Sequence, residues 1–242
     1  MSEVFAMAAP KYKRILLKLS GEALTKKDKG ILDFDFITKV AEVLSRCRAA
    51  GVEIGVIVGA GNIWRGRQGG GMDRKQADHM GMLATAINAL ALQDSFRQAG
   101  LDTVVMSAVE MPKFADAFTV RDANAALTAG KVVIFACGLG EPFFSTDTAA
   151  VLRAAEIGAD AVLMAKNIDG IYTADPKVDP TARRYDEITY AEVLAKELKA
   201  LDLSATTFCM ENDIRCYAFA LNDPDNIYRV VMGEHIGTEL HR

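Results

Sequence analysis

Short, near-continuous apolar runs alternate along this chain with longer stretches of helical spacing. Residues 14–18, 53–58, 103–106, 132–137 and 161–164 read as strands. None of these runs alternates apolar with polar positions, which is the pattern of strands buried on both faces. Between them, residues 34–50, 76–99, 121–129 and 147–157 place apolar side chains at helical intervals, and Gly51, Gly100, Gly130 and Gly158 stand where each helix would stop. Strand–helix–strand units in series predict an α/β fold, a mostly parallel central sheet with helices on both sides. The tail continues in the same style, with helices expected at 190–198 and around 206–212 and strands near 216–220 and 228–232.

Composition narrows the class. The chain has 242 residues, half of them hydrophobic and a quarter charged, which is ordinary for a globular protein and poor for disorder, collagen-like repeats or coiled coil. No proline-rich, serine-rich or single-charge linker divides it, so residues 12–242 read as one domain behind a flexible extension over 1–11. A formal net charge of −4 argues against a protein that coats nucleic acid by bulk electrostatics. No apolar run approaches the ~20 residues that a membrane-spanning helix needs. The opening decapeptide is apolar but carries Glu3 and lacks a basic leader, so no secretory signal and no membrane partner are expected. Cys47, Cys137, Cys209 and Cys216 lie far apart with no Cys-x-x-Cys, which fits free thiols in a reducing cytoplasm better than a disulfide frame or a zinc site.

The chemistry is expected at the carboxyl ends of the strands, where ligands gather in open parallel sheets. The first strand runs into Lys18-Leu19-Ser20-Gly21-Glu22, the second into Gly59-Ala60-Gly61-Asn62-Ile63-Trp64-Arg65-Gly66, and the fourth into Gly138-Leu139-Gly140-Glu141-Pro142-Phe143-Phe144-Ser145-Thr146-Asp147. Glycine lets backbone N–H groups approach an anion closely, and with a lysine and an arginine beside them these loops favour phosphate binding over simple tight turns. Neither G-x-x-x-x-G-K-[ST] nor a complete G-x-G-x-x-G is present, which sets aside a P-loop and a dinucleotide fingerprint. Lys18 has two readings, a strand-end lysine reaching solvent or a fixed ammonium that follows negative charge during phosphoryl transfer. Asp147 likewise reads either as a cap or first-turn acid of the helix it opens, or as a carboxylate that orients lysines.

Taken in order, the blocks Lys18–Leu24, Gly59–Gly66, Asp78-His79-Met80-Gly81-Met82-Leu83-Ala84-Thr85, Pro142–Asp147, Asp169-Gly170-Ile171-Tyr172-Thr173-Ala174-Asp175-Pro176 and Val230-Val231-Met232-Gly233 resemble the bacterial uridylate (UMP) kinases of the amino acid kinase fold. The resemblance runs from about residue 12 to residue 240, and the Asp78–Thr85 block is specific to the uridylate branch. It implies a three-layer αβα sandwich that transfers the γ-phosphoryl of ATP to UMP, with Mg²⁺ carried on the nucleotide and no metal ligand assigned to the chain itself. It also implies a cytoplasmic homohexamer serving pyrimidine nucleotide synthesis. Lys18 and Asp147 fall at the catalytic positions, the first neutralising the phosphoryl in flight and the second placing the lysines around it. Lys18, Leu19, Ser20, Gly21, Gly61, Arg65, Lys166, Asn167, Tyr172 and Asp175 fall on the ATP side. Ala60, Asp78, Leu139, Gly140, Glu141, Pro142, Phe143, Phe144, Ser145 and Thr146 fall on the UMP side, Asp78 at the ribose.

Four positions depart from the family pattern. Ala60 replaces the middle of three glycines, Leu139 and Glu141 stand where Thr and Asn are common, and Gln93 stands where many members have an arginine that contributes to GTP activation. UTP inhibition therefore carries over as an expectation and GTP activation does not. The acceptor chemistry needs no strong base, since a phosphate monoester with a second pKa of about 6 is already largely anionic at neutral pH. His79 is accordingly read as part of a helix that shapes the pocket, Met80 and Met82 as helix packing, and at least one of Phe143 and Phe144 as core filling.

Overall fold

The protein is described here from a computed structural model in which residues 9–25, 30–65 and 71–242 are placed. Most of the predicted extension and the loop-end Gly66 lie outside those residues. Among the described residues nine strands form one sheet: β1 (Arg14–Leu19), β2 (Glu53–Val58), β3 (Thr103–Ser107), β4 (Asp116–Ala117), β5 (Val132–Ala136), β6 (Ala161–Lys166), β7 (Glu187–Thr189), β8 (Cys216–Ala220) and β9 (Thr238–His241). Their order across the sheet is β4-β3-β5-β2-β1-β6-β8-β9-β7. Neighbours are parallel throughout except β8 and β9, so β9 and β7 run against the rest.

The sheet is covered on both faces. Ile15, Leu17 and Leu19 of β1 join one core, which takes in buried residues of α1 (Phe34–Ala49), α2 (Arg74–Gln98) and α7 (Asp225–Val231). Leu16 points the other way, into a second core with α3 (Val120–Thr128), α4 (Thr146–Ile157), α5 (Tyr190–Ala195) and α6 (Leu203–Asn212). This is the predicted three-layer arrangement, and it explains why Ile15, Leu16 and Leu17 of β1 are all apolar. Gly158 ends α4 at φ 63, a left-handed conformation in which a side chain would be strained.

The predicted strand over 228–232 is helical instead. Ile227, Val230 and Val231 are spaced for one helix face and bury against the α1 side of the sheet, so the helical period overrides the local β-branched run. Three short strands escaped the pattern, β4, β7 and β9, because two to four residues hold no period to read. Lys11 already belongs to the folded unit, since its N–H donates to the Val231 carbonyl at 2.9 Å. Among the described residues, no helix is long and apolar enough to cross a membrane.

Candidate active site

Because β5, β2, β1 and β6 are adjacent and parallel, their carboxyl ends open onto one edge of the sheet. Side chains alternate along a strand, so Lys18 projects to the same face as Leu16, the face covered by α4. There α4 begins with Ser145 as its cap, the hydroxyl accepting from the N–H groups of Asp147 and Thr148 at 3.0 and 3.1 Å. Asp147 is thus a first-turn acid as well as a partner for lysine. Lys18 Nζ lies 2.9 Å from Asp147 Oδ1, and Lys166 Nζ, at the end of β6, lies 4.0 Å from Oδ2. The Lys18 side chain is only 12% exposed, so it does not extend into bulk solvent.

The electrostatics follow from crowding. Burial pushes the Asp147 carboxyl up, but Lys18 and Lys166 together outweigh it and hold the group below its ordinary value. Lys166 is lowered: burial disfavours its charge, Asp147 opposes that, and Lys18 adds to it. Lys166 Nζ also donates to the Ala200 carbonyl. Two residues on, Asp202 caps α6 and receives Ser145 Oγ, Thr148 Oγ1 at 3.0 Å and the Ala205 N–H at 2.9 Å. Asp202 therefore fastens α6 to the start of α4, a link that no local pattern in the sequence marks.

The first two loops are in direct contact. A Cβ on Gly21 would sit 2.5 Å from the Gly59 carbonyl oxygen and 2.7 Å from Gly61 N, both backbone atoms that cannot swing aside. Gly21→Ala is therefore expected to push the loops apart, costing about 1–3 kcal/mol of stability and most of the turnover. A melting curve and an ADP-release assay on the variant would check it; unchanged melting with normal turnover would contradict this packing. Behind the second loop, buried Asn88 donates to the Gly59 carbonyl and to Asn62 Oδ1, each at 2.8 Å. The sequence offered no signal for that residue.

Between the second and fourth loops opens a cleft of about 260 Å³. Of the residues predicted for UMP, Ala60, Asp78, Leu139, Glu141, Phe144, Ser145 and Thr146 line it. Gly61 and Arg65, predicted for ATP, line the same cleft. Gly140, Pro142 and Phe143 stand outside the lining. Gly140 packs beneath the loop at φ 80, where an added Cβ would lie 3.1 Å from the Ala108 carbonyl oxygen. The Phe143 N–H donates to Asp78 Oδ2 at 2.9 Å, and Asp78 also pairs with Arg74 at 3.0 Å. Phe143 and Phe144 are 60% and 55% exposed, which corrects the core-filling expectation; the Phe143 ring faces the Arg74 guanidinium instead. Met82 packs against the core, whereas Met80 is exposed and not helix packing. His79 lies on the exposed surface of α2, outside the cleft lining.

Trp64, Thr85 and Cys137, none of them assigned to a ligand from the sequence, also wall the cleft. Trp64 Nε1 donates to the Ala77 carbonyl at 2.8 Å, and the Cys137 N–H donates to Thr85 Oγ1 at 2.9 Å, tying the end of β5 to α2. On the other side, Tyr172 and Asp175 occupy the loop after β6. Tyr172 donates to Asp169 at 2.9 Å and Asp175 accepts from the Lys177 N–H at 2.9 Å. Among the described residues no hydrogen bond or ion pair joins either of them to Lys18 or Asp147.

The strand ends thus bring a lysine–aspartate–lysine junction beside the paired glycine loops. The model of the amino acid kinase family matches residues 13–219. The chain belongs to the amino acid kinase family. Among solved amino acid kinases, the UMP kinase of Bacillus anthracis is 32% identical with a TM-score of 0.92, covering 95% of this chain and 96% of its own. The UMP kinase of Ureaplasma parvum is 36% identical with a TM-score of 0.90, covering 95% and 99%. The uridylate kinase of Archaeoglobus fulgidus is 26% identical with a TM-score of 0.70, covering 93% and 99%. In this amino acid kinase Gln93 is spent inside the fold, its side-chain amide donating to the Thr103 carbonyl at 3.3 Å beside Arg97.

Proposed function

We propose that this kinase transfers the γ-phosphoryl group of ATP to UMP, forming UDP and ADP for pyrimidine nucleotide synthesis. The observation that carries the reading is the Lys18–Asp147–Lys166 junction, reached along the chain from a cleft lined by Asp78, Leu139, Glu141, Phe144, Ser145 and Thr146, the last of which directly precedes Asp147. Likeness over almost the full length of two bacterial UMP kinases supports it. Bringing two anions together is the hard part of the reaction, and cations and amide dipoles fixed beforehand meet that need. In this reading Lys18 takes up charge developing on the phosphoryl oxygens. Asp147 holds Lys18 and Lys166 apart and in place, and the N–H groups of Ser20, Gly21 and Gly61 face the phosphates. Lys166, Asn167, Tyr172 and Asp175 serve the ATP side.

Both Asp147 oxygens already face ammonium groups, so the site suits an ion that arrives on phosphate oxygens rather than one held by the chain. Mg²⁺ carried on ATP would supply neutralisation of phosphate charge, beside Lys18 and Lys166. UTP, sharing the uridine, would inhibit at the acceptor cleft, and no activation by GTP is included. The working form is a cytoplasmic homohexamer. The test is a coupled ADP-release assay with Mg·ATP across UMP, CMP, AMP, glutamate and aspartate, with and without GTP. UMP is expected to exceed every other acceptor by at least about tenfold, a modest demand for a site that hydrogen-bonds its substrate. Faster turnover with a carboxylate acceptor, or no ADP with UMP, would overturn the proposal.

A further inference from the structure

Arg65, a cation of the cleft lining, is already paired with an anion of the chain itself. Glu22 stands one residue beyond the Lys18–Gly21 loop, and its Oε1 accepts from Arg65 Nη2. Its Oε2 accepts more loosely from Asn167 Nδ2, at 3.4 Å. A Cβ built on Gly61 would meet Glu22 Cγ at 3.1 Å and Oε1 at 3.2 Å, so the carboxylate lies against the second glycine loop. Arg65 lines the cleft, and among the described residues Glu22 is its one carboxylate partner. Three strand-end loops thus meet at a single carboxylate placed where phosphate oxygens are expected.

We propose that Glu22 is a resident anion that holds Arg65 in the empty cleft, yields it to the phosphate of the acceptor, and turns toward the Asn167 amide. This rests on the proposed phosphoryl transfer to a nucleoside monophosphate, moves Arg65 from the ATP side, where the resemblance put it, to the acceptor whose cleft it lines, and adds how the acceptor's phosphate is selected. The pair is easily exchanged, because its two side chains are 47% and 41% exposed and screened by solvent. A phosphate dianion offers the guanidinium fork two oxygens and twice the charge, so it displaces the carboxylate. An incoming carboxylate offers Arg65 nothing beyond what Glu22 already gives. Glu22 therefore sets a threshold that favours phosphate over carboxylate acceptors, and it keeps Arg65 extended rather than collapsed onto another acid.

Calorimetric titration of UMP and, separately, inorganic phosphate tests this on the full-length protein and on Glu22→Gln, Arg65→Gln and the double variant. With the competitor neutralised, Glu22→Gln is expected to bind both anions about two- to fivefold more tightly, the size of an exposed ion pair. Its KM for UMP should fall while kcat does not rise. In the Arg65→Gln background the Glu22 substitution should bring almost no gain, because the exchanged cation is gone. Equal or weaker binding by Glu22→Gln overturns the inference, since a merely structural brace would lose affinity when cut. A gain of the same size without Arg65 also overturns it, leaving only a diffuse charge effect. If the unmodified protein forms no ADP with UMP while phosphate still binds more tightly to Glu22→Gln, the uridylate reading fails and the role of Glu22 stands.

Discussion

Lys18→Ala should lower kcat about 10²- to 10⁴-fold while leaving a folded protein, the scale lost when a fixed group that stabilises transition-state charge is removed. The size of the effect follows from position. Lys18 is held 2.9 Å from Asp147 on the α4 face of β1, with an apolar stretch of strand before it and the glycine loop immediately after. Its ammonium cannot be replaced by a mobile surface lysine without paying for reorganisation at the moment of transfer. KM for UMP should change far less than kcat, because Arg65 and the second-loop amides still receive the ground-state phosphate. Lys18→Arg is not expected to rescue, since a planar guanidinium cannot occupy the space of a compact ammonium between Asp147 and the loop. Stability should fall modestly: Asp147 retains Lys166 at 4.0 Å, and Lys166 is relieved of its repulsion by Lys18. Circular dichroism and a melting curve near those of the parent, with ADP release almost abolished, would meet the expectation. A folded Lys18→Ala protein with near-normal kcat would remove Lys18 from the chemistry.

How much of this was legible beforehand varied with the kind of information each residue carries. The five long central strands announced themselves because strands covered on both faces must be apolar throughout, and Leu16 and Leu17 of β1 do bury into opposite cores. Lys18 and Asp147 each kept two readings on their own residues, and only the family resemblance made them a pair; they lie 2.9 Å apart because a strand end and a helix start converge in a parallel sheet. The segment 228–232 misled, since Val230 and Val231 carry strong strand propensity while Ile227 three residues earlier decides for a helix. Asp202 was not readable at all, because its contacts with Ser145 and Thr148 span 54 or more positions of chain. The same holds for Glu22, whose partner Arg65 lies 43 positions away on another loop. Phe143 and Phe144 looked like core by residue type, yet the chain needs their backbone at the cleft rim, where Phe143 N–H holds Asp78. Local pattern reveals which face is buried; it does not reveal which polar groups from different loops share one point in space.

Asp147→Asn should lower kcat about 10²- to 10³-fold and also move the alkaline limb of the kcat/KM profile toward lower pH. The second effect separates an electrostatic role from a merely structural one. Lys166 sits below the ordinary lysine value of 10.5 because burial disfavours its charge; Asp147 resists that and Lys18 reinforces it. Neutralising Asp147 removes the resisting influence and leaves the two lowering ones, so Lys166 must lose its proton at lower pH than in the parent. Activity that needs a charged Lys166 then fails earlier as pH rises. Stability carries matching signs. The Asp147 carboxyl is lowered from 3.8 in the folded protein, so the unfolded chain binds more protons across that interval. Its contribution is complete above the unfolded value and is lost as pH falls through the folded one. Asp147→Asn should erase that acid-side dependence. It should also widen, on the alkaline side, the window in which stability rises with pH, since Lys166 is lowered further. Paired pH–rate and pH–melting series on parent and variant measure both. An alkaline limb that stays put while kcat falls would show that Asp147 acts through shape alone and that its hold on Lys166 is not electrostatic.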